Sequence, residues 1–284
     1  MTESLFISAV ILTHNEARNI VSCLSALRPV DDVVIVDSGS TDETLVLATS
    51  VRPDVRIFTH PFQDFGEQRN WAIDHCELRH DWLLFVDADE YCDAELLNEL
   101  TEFISSPAEF VGGFIAGRNY FLGRWLKYST MFPSYQLRLL RRGKVRYIKE
   151  GHGQREVTDG PLKYMTHGWR HEAFSKGVHQ WLARHNTYST EEARRFIVER
   201  ALPIDWRQLG QDRIARRRLM KQIALRLPLR PWIRFLYAWL FRGGVLDGRA
   251  GFYYCTLLLA HQLELDAKLA ELAMPDVDSS SRQL

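Results

Sequence analysis

The chain has 284 residues, 46% apolar and 25% charged, which excludes a fully disordered polypeptide and allows one large domain or two modest ones. Its four cysteines form no CxxC pair, which argues against a zinc ribbon or a disulfide framework and suits a reducing compartment. The formal net charge is zero, yet residues 1–110 carry a net −15 and residues 111–284 a net +15, a division that fits charge clustering on solvated faces and equally a cleft for metal-assisted chemistry on a phosphorylated substrate.

The N-terminus has no basic region and meets Asn15 and Glu16 too soon for a signal peptide. No stretch reaches 18 apolar residues, so no conventional membrane span is expected. Apolar runs of strand length fall at Phe6–Leu12, Val33–Val36, Val55–Phe58 and Trp82–Val86. Helix-like stretches lie between and after them, near 16–27, 42–50, 66–78 and 93–105. This alternation predicts βα units on a mostly parallel sheet, and the unbroken runs VVIV and WLLFV fit strands buried on both faces. Ser40, Thr41, Asp42 and Asp93 stand where helix caps are expected. Residues 111–170 change to shorter strands (VGGFIAG, SYQLRLLRR, KVRYI). From about 175 the pattern is helical, over 176–200, 206–226, 231–242 and 247–273, with breaks at Pro203, Pro228 and Pro231. The expected organisation is an α/β domain over 1–170, a helical region over 171–274 and a disordered tail over 275–284.

Ligands of open α/β sheets bind beyond the carboxyl ends of the strands. Those ends are polar here: Thr13-His14-Asn15-Glu16 after the first, Asp37-Ser38-Gly39-Ser40-Thr41-Asp42 after the second, and Asp87-Ala88-Asp89-Glu90 after the fourth. Asp87 and Asp89, two apart on an extended segment, point to one side and need a cation between or beside them. Carboxylate oxygens suit Mg²⁺ or Mn²⁺, with diphosphate oxygens completing the shell. Asp37 suits a nucleobase N–H, and equally a turn. Arg69, at the start of the helix after the third strand, suits an anion. Neither a Walker loop nor GxGxxG occurs, which counts against an ATPase and a dinucleotide enzyme.

Four blocks, VILTHNEARNI, VIVDSGSTDET, FGEQRNWAI and LLFVDADEY, together resemble the signature blocks of family 2 glycosyltransferases with the GT-A fold. The likeness extends to the lipopolysaccharide-core and cell-envelope members, whose tails are similar to PWIRFLYAWLFRGGVLDGRAGF. The resemblance implies a GT-A α/β domain with nucleotide-sugar binding over 1–110, an acceptor side over 111–170 and a helical C-terminal extension. It implies a nucleotide-sugar donor, most often a UDP-sugar, and a glycan or glycolipid acceptor. Thr13, Asn15 and Glu16 would line the nucleotide pocket, Asp37 would meet the uracil, and Arg69 would sit near the diphosphate. Asp87 and Asp89 would form the DxD, with Asp89 the direct metal ligand. Transfer with inversion needs a base on the acceptor hydroxyl. RYIKEGHGQREVTDG supplies Glu156, then Glu150, with His152 and Asp159 nearby; Arg155-Glu156 stands where such enzymes often carry His-Glu.

Six bases crowd residues 138–149, and Arg138 and Arg142 are expected to hold diphosphate or an anionic acceptor, or else to keep an edge hairpin soluble. Residues 207–249 carry eleven Arg plus Lys against two acids, interleaved with aromatics. That pattern suits peripheral contact with an anionic membrane at the inner face of the cytoplasmic membrane, or a helical subdomain whose aromatics are core. No nucleic-acid motif accompanies it. Two other readings stay open: a nucleotidyltransferase that makes a nucleotide-sugar, disfavoured by the Gly-free loop THNEARNI, and a non-catalytic module that binds one.

Overall fold

The computed structural model describes residues 4–106, 109–150 and 153–274. Its contacts divide the chain into two compact units that meet between Val178 and His179.

The first unit opens with β1 (Leu5–Thr13), α1 (Ile20–Ala26), β2 (Val30–Asp37), α2 (Thr44–Val51), β3 (Arg56–Thr59), α3 (Phe65–His75) and β4 (Trp82–Asp87). The pair β5 (Glu90–Tyr91) and helix α4 (Ala94–Ser105) follow. Then come β6 (Gly112–Ala116), β7 (Arg118–Phe121), β8 (Arg124–Trp125), β9 (Tyr135–Arg141), β10 (Arg146–Glu150), β11 (Gly153–Val157), β12 (Leu162–Tyr164) and β13 (Arg170–His171). Seven strands form the main sheet, in the order β12-β6-β9-β4-β1-β2-β3. Strands β4, β1, β2 and β3 run parallel, and β9 lies antiparallel between β4 and β6. This is the expected GT-A type of α/β sheet, mostly parallel, with the four strand ends at one edge.

Parallel strands read as continuous apolar runs because both faces are covered. Ile7, Ile11 and Ile35 pack on one face against Cys23 and Leu24 of α1 and Leu96, Leu100 and Phe103 of α4. Val10, Val34 and Phe85 pack on the other against Ala72 of α3, Cys76 at its C-terminal cap and Tyr147 of β10. All four cysteines are buried free thiols. Asp93 caps α4 as expected, accepting from the Leu96 N–H, and Asp64 caps α3 through the Glu67 N–H, whereas α2 follows Glu43 with no side-chain cap and Asp42 accepts from the Thr44 N–H just inside it.

Two smaller sheets complete this unit. One is the β10–β11 hairpin, with Tyr147 opposite Glu156. The other has the order β5-β13-β7-β8 and sets His171 opposite Glu90.

The second unit is helical: α5 (Gly177–Ala201, which starts in the first), α6 (Arg213–Ala224), α7 (Arg230–Leu236) and α8 (Gly248–Leu272). Its core joins Ala193 and Phe196 to Leu225, Leu265 and Leu269. Two expectations need correction here. The stretch 206–226 is not one helix: a 3-10 turn, Trp206–Gly210, ends before Asp212, which caps α6 by accepting from the Ala215 N–H at 2.8 Å. Pro231 does not end a helix but sits in the first turn of α7, where its missing N–H costs nothing. The tail over 275–284 lies outside the described residues.

Candidate active site

Strand register assembles the site. Thr13 of β1 pairs with Asp37 of β2, and Leu12 with Asp87 of β4, so three polar strand ends share one edge. Thr13 Oγ1 donates to Asp37 Oδ1 at 2.7 Å across that edge.

The loop after β1 is built as a cradle. Asn15 has a positive φ of 54°, and its Oδ1 accepts from the Thr41 N–H at 2.8 Å. Its own N–H donates to Ser40 Oγ, and that of Glu16 to Thr44 Oγ1. Glu16 Oε1 meets Lys176 Nζ at 2.5 Å, and Asn19 donates to its other oxygen. Burial raises the Glu16 carboxyl even so, against the lowering pull of Lys176 and Asn19. Lys176 also reaches the His14 carbonyl, so the residues just before α5 tie down the β1 loop.

Asp37 is only 2% exposed, and its oxygens accept from Thr13, Gly39 N–H, Ser40 N–H and Ser40 Oγ. Burial pushes its carboxyl up, but these donors outweigh that and hold it below the usual range. These four bonds bind Asp37 to the loop it shapes at the edge of the pocket. Beside it, fully buried Gln68 donates to Ser38 Oγ and the His60 carbonyl, and its Oε1 has no partner.

The acidic turn after β4 is neutralised from beneath. Arg138 of β9 grips Asp87 with two bonds, at 3.0 and 2.6 Å, and reaches Glu90 at 2.9 Å. Arg69 of α3 adds a third bond to Asp87 at 3.1 Å. Burial opposes charge on Asp87, but Arg138 and then Arg69 hold its carboxyl well below the ordinary range. Burial raises the Glu90 carboxyl, which also accepts from the Asp87 N–H. Asp89 takes no part in the arginine grip. Its Oδ2 lies 3.4 Å from His171 Nε2, and its carbonyl accepts from the Glu172 N–H. Burial lowers the His171 pKa, but Asp89, Glu90 and Asp87 overcome that and raise it to about 9.

The structure therefore brings together Thr13, Asn15, Glu16, Asp37, Arg69, Asp87, Asp89 and Arg138. Arg138 is 2% exposed and lies under Asp87, so it braces the carboxylates and does not reach an acceptor. Arg142 is not in the site. It lies beyond β9 at the opposite end of β4, about 20 Å from Asp87 by strand rise, where it donates to the Leu78 and His80 carbonyls. Nor do these arginines share an edge hairpin: β9 is an interior strand, and the Gly143 turn (φ 76°) separates it from β10.

Glu156 is half-buried opposite Tyr147, whose ring packs against Phe85 and Arg69. Cross-strand partners share a face of the hairpin, so Glu156 is on the side that faces Arg69. Glu150 pairs with Gly153 in the backbone, its side chain falls outside the described residues, and so does all of His152. Sequence reasoning missed Glu90, His171, Lys176 and Gln68. The signals were a third acid directly after the DxD and a His-Glu pair at 171–172.

Among the described residues, no group of three or more His, Cys, Asp or Glu is arranged to hold a metal by itself. Asp89 and His171 form a pair.

Comparison with known proteins agrees with this geometry. Residues 8–191 match the family described as Glycosyl transferase family 2. The lipopolysaccharide core biosynthesis glycosyltransferase LpsC of Rhizobium meliloti (strain 1021) is 34% identical over 150 residues, 52% of this chain and 55% of LpsC. An uncharacterized glycosyltransferase of Rickettsia bellii (strain RML369-C) is 35% identical over 101 residues, 35% of this chain and 33% of that protein. The chain thus spans only a third to about half of these relatives' length. Among solved structures, the mannosyltransferase PcManGT from Pyrobaculum calidifontis, in complex with GDP-Man and Mn²⁺, has a TM-score of 0.51. It is 16% identical, with 96% of this chain and 89% of that chain covered, a likeness of fold. With the four motif blocks, the sheet edge they occupy and a match across more than half its length, the chain belongs to glycosyl transferase family 2.

Proposed function

We propose that the protein transfers a sugar from a nucleotide-sugar, a UDP-sugar by this reading, to a hydroxyl of a cell-envelope glycan or glycolipid such as lipopolysaccharide core, with inversion at the anomeric carbon. The observation that carries the reading is the meeting of Asp89 and His171 at the edge that also holds Thr13, Asn15 and Asp37. Similarity to LpsC supports the acceptor class, and the GDP-Man and Mn²⁺ held by the P. calidifontis enzyme support the donor class and the metal.

Mg²⁺ or Mn²⁺ would be held by Asp89 and His171. One carboxylate and one imidazole fit a small divalent cation that takes its remaining ligands from diphosphate oxygens and water. The acidic turn draws positive charge to this spot, and a bound cation would take the place of the His171 proton. When bound, the cation offsets the negative charge that develops on the leaving diphosphate.

The chain's own residues do the rest. The Thr13–Glu16 loop and the Asp37 turn cradle the nucleoside. Arg69 and Arg138 hold Asp87 ionised and still, so Asp89 keeps its aim. Glu156 accepts the proton of the acceptor hydroxyl as its oxygen attacks the anomeric carbon. The bond to the diphosphate breaks on the opposite face, which inverts the centre. A peripheral position at the inner face of the cytoplasmic membrane would give access to both a soluble donor and a lipid-anchored acceptor.

Calorimetry with UDP, GDP, CDP and ADP, each with Mn²⁺ and with EDTA, tests the reading. UDP should bind in the micromolar range with Mn²⁺ and lose that binding in EDTA. Absence of binding by all four overturns the donor assignment.

A further inference from the structure

The helical unit turns an apolar stripe outward. Along α7 and the π turn that continues it (Tyr237–Phe241), Trp232, Ile233, Leu236, Tyr237 and Leu240 recur at i, i+1, i+4, i+5 and i+8. That spacing makes one helix face, which in a soluble fold is normally the face toward the core. Here the five side chains are 47–54% exposed, and Phe241 is 82% exposed. The start of α8 packs beside this segment, with Trp239 edge-on to Phe252 at 5.4 Å, and adds exposed Phe252 and Tyr253.

The polar groups are inverted to match. Arg230 is 9% exposed and bonds Asp266 at 2.5 Å, and Asp247 is 2% exposed. Residues 213–263 contain ten Arg plus Lys and one acid, the buried Asp247. The exposed stripe therefore lies within a segment of strong positive charge that shows no exposed carboxylate.

Those two properties select the occupant. A second copy docked symmetrically through the same face would set like charge against like charge. A neutral lipid surface would accept the apolar stripe but not answer the arginines. An anionic bilayer answers both. Aromatic and leucine side chains enter the boundary between headgroups and acyl chains, while arginine stems follow them and keep their guanidinium groups at the phosphates. Among the described residues no helix is long and apolar enough to cross a membrane, so the segment would lie in the plane of the surface.

We propose that residues 230–253 form a membrane-docking face, with the Trp232–Phe241 stripe seated in the interface of an anionic bilayer. This deepens the peripheral placement suggested above, yet it rests on the helical unit alone and is tested without reference to sugar transfer.

The test is co-sedimentation of the intact chain with phosphatidylcholine vesicles, with and without about one third phosphatidylglycerol. The expected result is binding to the anionic vesicles, at least about tenfold weaker on the neutral ones and weakened by salt. The double variant L240E/F241E should lose at least about tenfold in partitioning while its thermal unfolding stays that of the parent. Should that variant melt lower, F241S, at the most exposed position, replaces it and should still bind less than the parent. Failure of the intact chain to bind anionic vesicles overturns the proposal, as does full binding by the folded variant. A vesicle-independent dimer that L240E/F241E dissociates, with no vesicle binding, overturns it in favour of self-association.

Discussion

One guanidinium serves two carboxylates: Arg138 lies 2.6 Å from Asp87 and 2.9 Å from Glu90, on a strand that runs antiparallel to the one they follow. Arg138→Met should leave both acids buried without their main counter-charge. A loss of about 3–5 kcal/mol is expected, read as a lower urea midpoint at unchanged slope. A change within about 0.5 kcal/mol would mean that Arg69 alone neutralises the turn.

Asp89 and His171 should separate metal binding from folding. Asp89→Asn and His171→Ala each remove one ligand from a pair that stands clear of the arginine grip. Mn²⁺-dependent UDP binding should fall at least about tenfold in each, with thermal unfolding within a few degrees of the parent. Undiminished Mn²⁺ dependence in both would place the cation elsewhere.

For the base, Glu156→Gln keeps size and removes proton affinity. Donor binding should stay intact while the transfer rate drops about 10²–10⁴-fold. Equal rates would move the role to another carboxylate. Glu150, the second candidate on the same hairpin, is the next to replace. Slow donor hydrolysis by the parent separates an enzyme from a module that only binds.

Acid should weaken the helical unit through His185. Burial lowers its pKa to about 4, with His261 and Arg184 acting in the same direction and the Trp181 carbonyl against them. An unfolded histidine titrates near 6.5, so from there down to about 4 the unfolded chain holds the extra proton. Stability from this group is therefore full above pH ~6.5 and falls as the pH drops, by about 1–2 kcal/mol after allowance for solvent screening. Unfolding followed from pH 7 to pH 4.5 should show a shallower decline in His185→Phe than in the parent. Parallel declines would exclude His185 as the source.

What the sequence revealed depended on how local each feature is. The runs VVIV and WLLFV name their strands because burial on both faces leaves no polar alternation to misread. Asp87 and Asp89 follow directly from where such a run stops. His171 left only the weak signal of a His-Glu pair, because β13 is two residues long and meets Glu90 from 81 residues away in sequence. Arg138 was visible but misread. Among six bases it looks like surface, and only its place on an interior strand buries it beneath Asp87. Arg142 failed because β9 runs antiparallel to β4, so the residues after Arg138 lead away from Asp87 toward the far end of the sheet.

The side-chain amide of Asn70 accepts from the Tyr147 N–H at 3.1 Å and donates to its carbonyl at 2.8 Å. Asn70 follows Arg69 on α3, and Tyr147 faces Glu156 across the hairpin. A single amide thus ties the helix that carries Arg69, which bonds Asp87, to the hairpin that carries Glu156. On the proposed reading, the hairpin that carries the base is clasped by these two hydrogen bonds to the helix that carries part of the Asp87 grip.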